Sequence, residues 1–308
     1  KTAYEIPKRD WSSDVCSSDL RTRRHRSDGD VQVIAPQDLF PAIGPWVSTL
    51  DDTFPGAWIK PYFAQWEVLH ILSLALLGGA SILLNLRLIG AGLTDDSPSE
   101  VRRGVLPWLN VGVVGVVLSG VLIGTSNPER LYTSEAFTAK MLGLAAALVL
   151  TYGVALPAAR QDGCLGGGAK LWAMIGLALF GLCIGVFGVA KLVNPGLWHV
   201  VIAAALIVLF VTRGVTRLIY LGGLGVLMAV QLALHQVIWK PDDYAHLDPA
   251  NKVLILAYAA WILAATALQI VSSGRNPQGG GPAVKALAYA AILVWVATAA
   301  AGRWIAFA

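Results

Sequence analysis

Three histidines, His70, His199 and His235, stand in otherwise apolar stretches of this 308-residue chain. A neutral imidazole in such surroundings is a ligand for haem iron or copper, held through the lone pair of one ring nitrogen. Glu67 precedes His70 by three residues. That spacing puts both on one helical face, where the carboxylate would hold the second ring nitrogen. Lys140 and Lys252 each follow an acidic loop and open an apolar helical stretch. The positive end of a helix macrodipole repels a cation, so this placement predicts an anionic partner: a haem propionate, Glu135 or Asp248. Arg303, in the closing GRWIAFA, completes the set. The cofactor-binding candidates are His70, His199, His235, Glu67, Lys140, Lys252 and Arg303, with the three histidines as metal ligands. A plainer reading stands beside each. A His near a helix end bonds to headgroups or backbone, and long cationic side chains, Arg87 and Arg217 among them, snorkel to lipid phosphates. His246 (DDYAHLD) and His25 (RTRRHR) lie in polar sequence and read as solvated.

Other chemistries are excluded by spacing. Glu67-x-x-His70 matches one arm of a carboxylate-bridged di-iron site, but the second such pair and the further glutamates are missing. There is no CxxC, CxxCH or HExxH, no phosphate-binding GxxxxGK[ST] and no dinucleotide fingerprint. Cys164 falls in a Gly-rich loop and Cys183 in an apolar run, roughly 28 Å apart along a helix and too far for a disulfide. No residue set reads as catalytic, so the expectation is a non-enzymatic protein.

The elements that must carry these residues are membrane spans. Apolar residues make up 56% of the chain and charged residues 14%, with a mean hydropathy of +0.63; ordinary soluble domains carry about 25% charged residues. A crossing takes about 20 apolar residues. Apolar runs occupy about 62–90, 106–126, 136–159, 171–193, 197–213, 215–239, 250–272 and 284–307, separated by polar or Gly/Pro-rich breaks. The expected fold is all-α, a polytopic transmembrane helical bundle of about eight spans. The fifth run is close to the minimum length, which leaves seven spans open. Gly and Ser inside the runs, such as Gly112, Gly115, Ser119 and Gly120, read as close-packing positions.

The halves can be overlaid as two parallel four-helix repeats, 62–193 and 194–308, with His70 over His199 and Lys140 over Lys252. Arg87, Arg102, Arg103, Arg160, Lys170, Arg213, Arg217, Arg275 and Lys285 flank the spans on one side. Arg130, Lys140, Lys191, Lys240, Lys252 and Arg303 flank them on the other. The richer set belongs to the cytoplasm, which places the histidines, Trp46, Trp58, Trp66, Trp198, Trp239 and Trp304 toward the outer face.

Residues 1–20 (KTAYEIPKRDWSSDVCSSDL) resemble the conceptual translation of a sequencing-library adapter and are set aside as a probable artefact. Without them the chain has 20 basic and 15 acidic residues, too small an excess for nucleic-acid binding. Residues 21–61 form a polar and interfacial N-terminal segment.

YFAQWEVLHILSLALLGGASILLNLRLIG, AFTAKMLGL and GRWIAFA are similar to an uncharacterised family of bacterial multi-pass membrane proteins. Its pattern is a His-containing first span running into DLRLLG, then F-x-x-K, then GRWI. More distantly the chain looks like the copper-resistance D-type membrane proteins, which share an early His and a Gly-rich span. The clear resemblance covers about 62–160 and 284–308, and Asn85 stands where the family has Asp. It implies a multi-pass bundle in a bacterial inner membrane, draws attention to His70, Arg87, Lys140 and Arg303, and assigns no reaction. Three functional readings stay open. One is a protein binding haem b or copper near the periplasmic face, with a redox partner or a second copy. The others are a small-solute or ion transporter working at the interface between the repeats, and a structural membrane subunit. All make the lipid bilayer a partner.

Overall fold

The computed structural model describes residues 34–190, 197–239, 244–273 and 279–307. The adapter-like residues, the RTRRHR run, Lys191 and Lys240 lie outside them. Among the described residues the chain is all-α, and seven helical stretches are long and apolar enough to cross a membrane. The helices are α1 Phe63–Ile89, α2 Pro98–Ser126 and α3 Glu135–Leu150, the last continued by a π turn, Thr151–Ala155, and by Leu156–Arg160. Then come α4 Ala169–Val189, α5 Leu197–Val211 and α6 Gly214–Ala233, the last continued by a π turn over Leu234–Ile238. The chain closes with α7 Tyr244–Ser273 and α8 Pro282–Trp304.

Local chemistry sets the helix ends. α2 starts eight residues ahead of its apolar run because Ser97-Pro98-Ser99-Glu100 is a capping box. Ser97 Oγ accepts from the Glu100 N–H at 3.3 Å and Glu100 accepts from the Ser97 N–H at 2.8 Å. Ser134 Oγ caps α3 by accepting from the Phe137 N–H at 3.3 Å. Gly90 ends α1 in the left-handed region (φ 83°), so that the Ala91 N–H reaches back to the Leu86 carbonyl at 2.9 Å.

α5 is the short element. Its 15 residues rise about 22 Å against a hydrocarbon core of about 30 Å. Its first turn nevertheless carries His199 against Trp304 at the end of α8, and Val211 lines a recess with Ile89 at the end of α1. The eight helices therefore alternate between two ends of the bundle: a His70 end, where α1 and α3 begin, and an Arg87 end, where α1 finishes.

In lipid, helices associate through close packing, because apolar surface gains little by leaving hydrocarbon. α1 and α2 meet along an antiparallel seam. Gly112 lies on Leu77, Gly115 on Ser73 and Gly120 on His70. α3 and α4 pair in the same way, with Gly143 on Cys183 and Gly153 on Trp172. α8 is the most enclosed helix and packs on α3, α1 and α5. Its Trp295 indole donates to Thr151 Oγ1 at 3.2 Å in the π turn of α3. α6 shows an apolar exterior, including Leu218, Val226, Met228 and Leu232, as a lipid-facing helix should. The tight pairing of α1 with α2 and of α3 with α4 has no counterpart between α5 and α6 or α7 and α8. The last helix packs instead among those of the first half.

The chain before α1 folds over the His70 end. The Tyr132 hydroxyl donates to the Phe40 carbonyl at 2.8 Å, and Gly56 sits against the Leu50 and Thr125 carbonyl oxygens so closely that a Cβ would collide. Phe40, Trp46, Phe54 and Trp58 stay exposed there, the aromatic composition of a membrane–water interface.

Candidate functional site

One polar cluster lies inside the first-half bundle, about two turns from the His70 end. α1 supplies His70, α2 Ser119, α3 Lys140 and α8 Gly302. His70 Nδ1 is 2.9 Å from Ser119 Oγ, and Lys140 Nζ is 3.4 Å from His70 Nε2. The Ser119 hydroxyl donates to the Gly115 carbonyl one turn earlier, so its oxygen is the acceptor for His70 Nδ1–H. That fixes the neutral tautomer and turns the Nε2 lone pair toward the Lys140 ammonium. Gly302 on α8 faces the lysine stem, where a Cβ would stand in ordinary contact, 3.4 Å from Lys140 Cδ. Among the described residues Lys140 has no carboxylate within ion-pair distance. The cluster therefore sets a lysine amine against an imidazole, largely out of water, at hydrogen-bond distance.

The other sequence candidates fall elsewhere. Glu67 is exposed and bonds to no described residue; the two nitrogens of His70 are taken by Ser119 and Lys140, so the carboxylate support expected from the i, i+3 spacing is not made. His199 is exposed, with its ring 6.0 Å from that of Trp304, edge to face. His235 belongs to α6 and α7. Its Nδ1 donates to the Gln231 carbonyl at 2.9 Å and its Nε2 lies 3.1 Å from the Asn251 side-chain amide. Among the described residues no three His, Cys, Asp or Glu side chains gather into a possible metal site, and the three histidines make separate contacts. Lys252 and Arg303 are exposed. Among the described residues Lys252 contacts neither Asp248 nor any other charged group, and Lys140 contacts His70 rather than one of the expected anionic partners.

Two arginines read as snorkelling do something else. Arg87 is buried and its Nε donates to the Asp96 carbonyl at 2.6 Å; Arg217 Nε donates to the Thr212 carbonyl at 2.8 Å. Both tie loops to helix ends. Arg130 likewise reaches the Ile305 carbonyl at 3.2 Å, and also that of Ala306, satisfying acceptors past the end of α8. Sequence reasoning treated Ser119 as packing. Its signal was a hydroxyl among the glycines of α2, at the depth His70 reaches in α1. Asn85, at the position where Asp was expected, is wholly buried, with Nδ2 donating to the Ser81 carbonyl at 2.8 Å.

No curated protein and no solved structure matches the chain, so the copper-resistance likeness has no counterpart among the comparisons. Residues 46–165, the stretch that holds His70, Ser119 and Lys140, match the model of a family of unknown function (DUF6644).

Proposed function

We propose that this multi-pass membrane protein carries a small anionic solute, held at the His70–Lys140 pair. One observation carries the reading. Lys140 Nζ is kept inside the bundle with the His70 imidazole as its polar neighbour, and among the described residues no carboxylate lies within ion-pair distance of it. Ionisable groups within spans are costly and mark solute or proton pathways. This cation is compensated when an anion enters, and His70 supplies a base that takes up or returns a proton as the charge changes. A haem or copper site is less well served. The Nε2 that would hold the metal already faces Lys140 Nζ, and His199 and His235 make their contacts elsewhere.

The distribution of basic residues supports an orientation with the Arg87 end in the cytoplasm and the carrier site toward the outer face, in a bacterial inner membrane. The test is charge displacement on solid-supported membranes. Liposomes holding the full chain are exposed to jumps of chloride, acetate or phosphate. Lys140→Met should abolish the signal, and His70→Gln should lower it about tenfold, the worth of one charge-assisted hydrogen bond. A Lys140→Met signal equal to that of the parent, or silence with all of these anions, sinks the reading.

A further inference from the structure

We propose that a recess between α2 and α3 at the Arg87 end binds the phosphate of an anionic phospholipid. The recess has a volume of about 430 Å³ and is lined by Arg102 and Leu106 of α2 and by Tyr152, Leu156 and Arg160 of α3. Arg102 Nε is shielded from solvent and has no hydrogen-bond partner among the described residues. Among the described residues neither Arg102 nor Arg160 forms an ion pair, and no carboxylate lines the recess. A desolvated guanidinium N–H without a partner is unfavourable. Its planar fork matches the oxygen pair of a phosphate, as it does that of a carboxylate.

Depth decides that the phosphate belongs to a lipid. Arg102 stands in the first turns of α2, and Arg160 closes α3. Both therefore lie at headgroup level, where basic recesses between spans meet anionic lipids. Leu106 and Leu156 each sit four residues further into the membrane on the same helix faces. The Tyr152 hydroxyl is engaged with Asn110 Oδ1 at 2.8 Å, so the deeper wall offers a ring and methyl groups. A charged rim above an apolar wall suits a headgroup phosphate followed by an acyl chain. This site is separate from the His70–Lys140 pair at the other end of the bundle.

The test is native mass spectrometry of the detergent-purified full chain with phosphatidylglycerol, phosphatidylcholine and inorganic phosphate as probes. Phosphatidylglycerol should be retained over phosphatidylcholine. Arg160→Gln, at an exposed side chain that folding does not need, should weaken retention about tenfold, and Arg102→Gln by as much or more. Leu106→Trp, which fills the apolar wall, should also remove the lipid. If inorganic phosphate displaces the lipid and Leu106→Trp retains phosphatidylglycerol as the parent does, the rim takes phosphate alone and the lipid assignment is overturned. Equal retention of both lipids, or of phosphatidylglycerol by the parent and by Arg160→Gln, overturns it altogether.

Discussion

Replacing Gly112 with alanine tests the seam on which the site depends. A Cβ there would lie 2.7 Å from Leu77 Cβ and 2.9 Å from its Cα and N. Carbon contacts settle at about 3.5–4.0 Å, and the nearest atoms include backbone, so α1 must retreat from α2 by about 1 Å. Overpacking of this kind costs about 1–3 kcal/mol. His70 is seven residues from Leu77, about two turns along the same helix face. The same retreat would stretch its 2.9 Å contact with Ser119 past the 3.5 Å at which a hydrogen bond ceases to count. Gly104→Ala, on the same helix with nothing within 4 Å of its Cβ, is the control. It should be neutral or up to about 1 kcal/mol stabilising from helix propensity. The assay is reversible unfolding in mixed micelles by SDS titration, with the His70 ring followed by NMR in the same samples. Equal stability of Gly112→Ala and Gly104→Ala, with an unmoved His70 resonance, would refute the reasoning.

Other expectations follow from particular contacts. Thr151→Val strips the acceptor from the buried Trp295 indole and should cost about 1–3 kcal/mol in the same unfolding assay, whereas Thr151→Ser should cost little. Cys164 is exposed in the loop at the Arg87 end and Cys183 is buried. In a Cys16→Ser chain an impermeant maleimide should therefore label inverted vesicles at Cys164 alone; labelling of right-side-out vesicles would reverse the orientation. The hydrogen bond from Lys60, 2.7 Å away, holds the Asp51 carboxyl below its ordinary value of 3.8. A depressed carboxylate stabilises above the unfolded value and loses that contribution as pH falls through the folded one. Proteolysis of the segment before α1 should thus be flat from neutral pH to about 4 and rise below it, and Asp51→Asn should remove the rise.

Much of the architecture could be read directly from the chain. Apolar runs of about 20 residues become helices in hydrocarbon, because a helix satisfies all its backbone hydrogen bonds within one segment. Among the described residues each run named from the sequence carries a helix, down to the short fifth. Boundaries slipped where polar residues continue a helix, as at the Ser97 capping box, because hydropathy registers the membrane and not the hydrogen-bond ladder. Of the candidate site, His70 and Lys140 were visible as ionisable groups in apolar sequence.

What the sequence by itself determined is the kind of surface each helix carries and how far it reaches. Which surfaces meet was decided only by tertiary packing, because apolar helices in lipid all resemble one another, and partner choice turns on where small residues let two backbones close. Gly112 and Gly115 brought Ser119, and not Glu67, to His70. The last helix meets the Lys140 stem at Gly302, across a chain separation that no local pattern encodes.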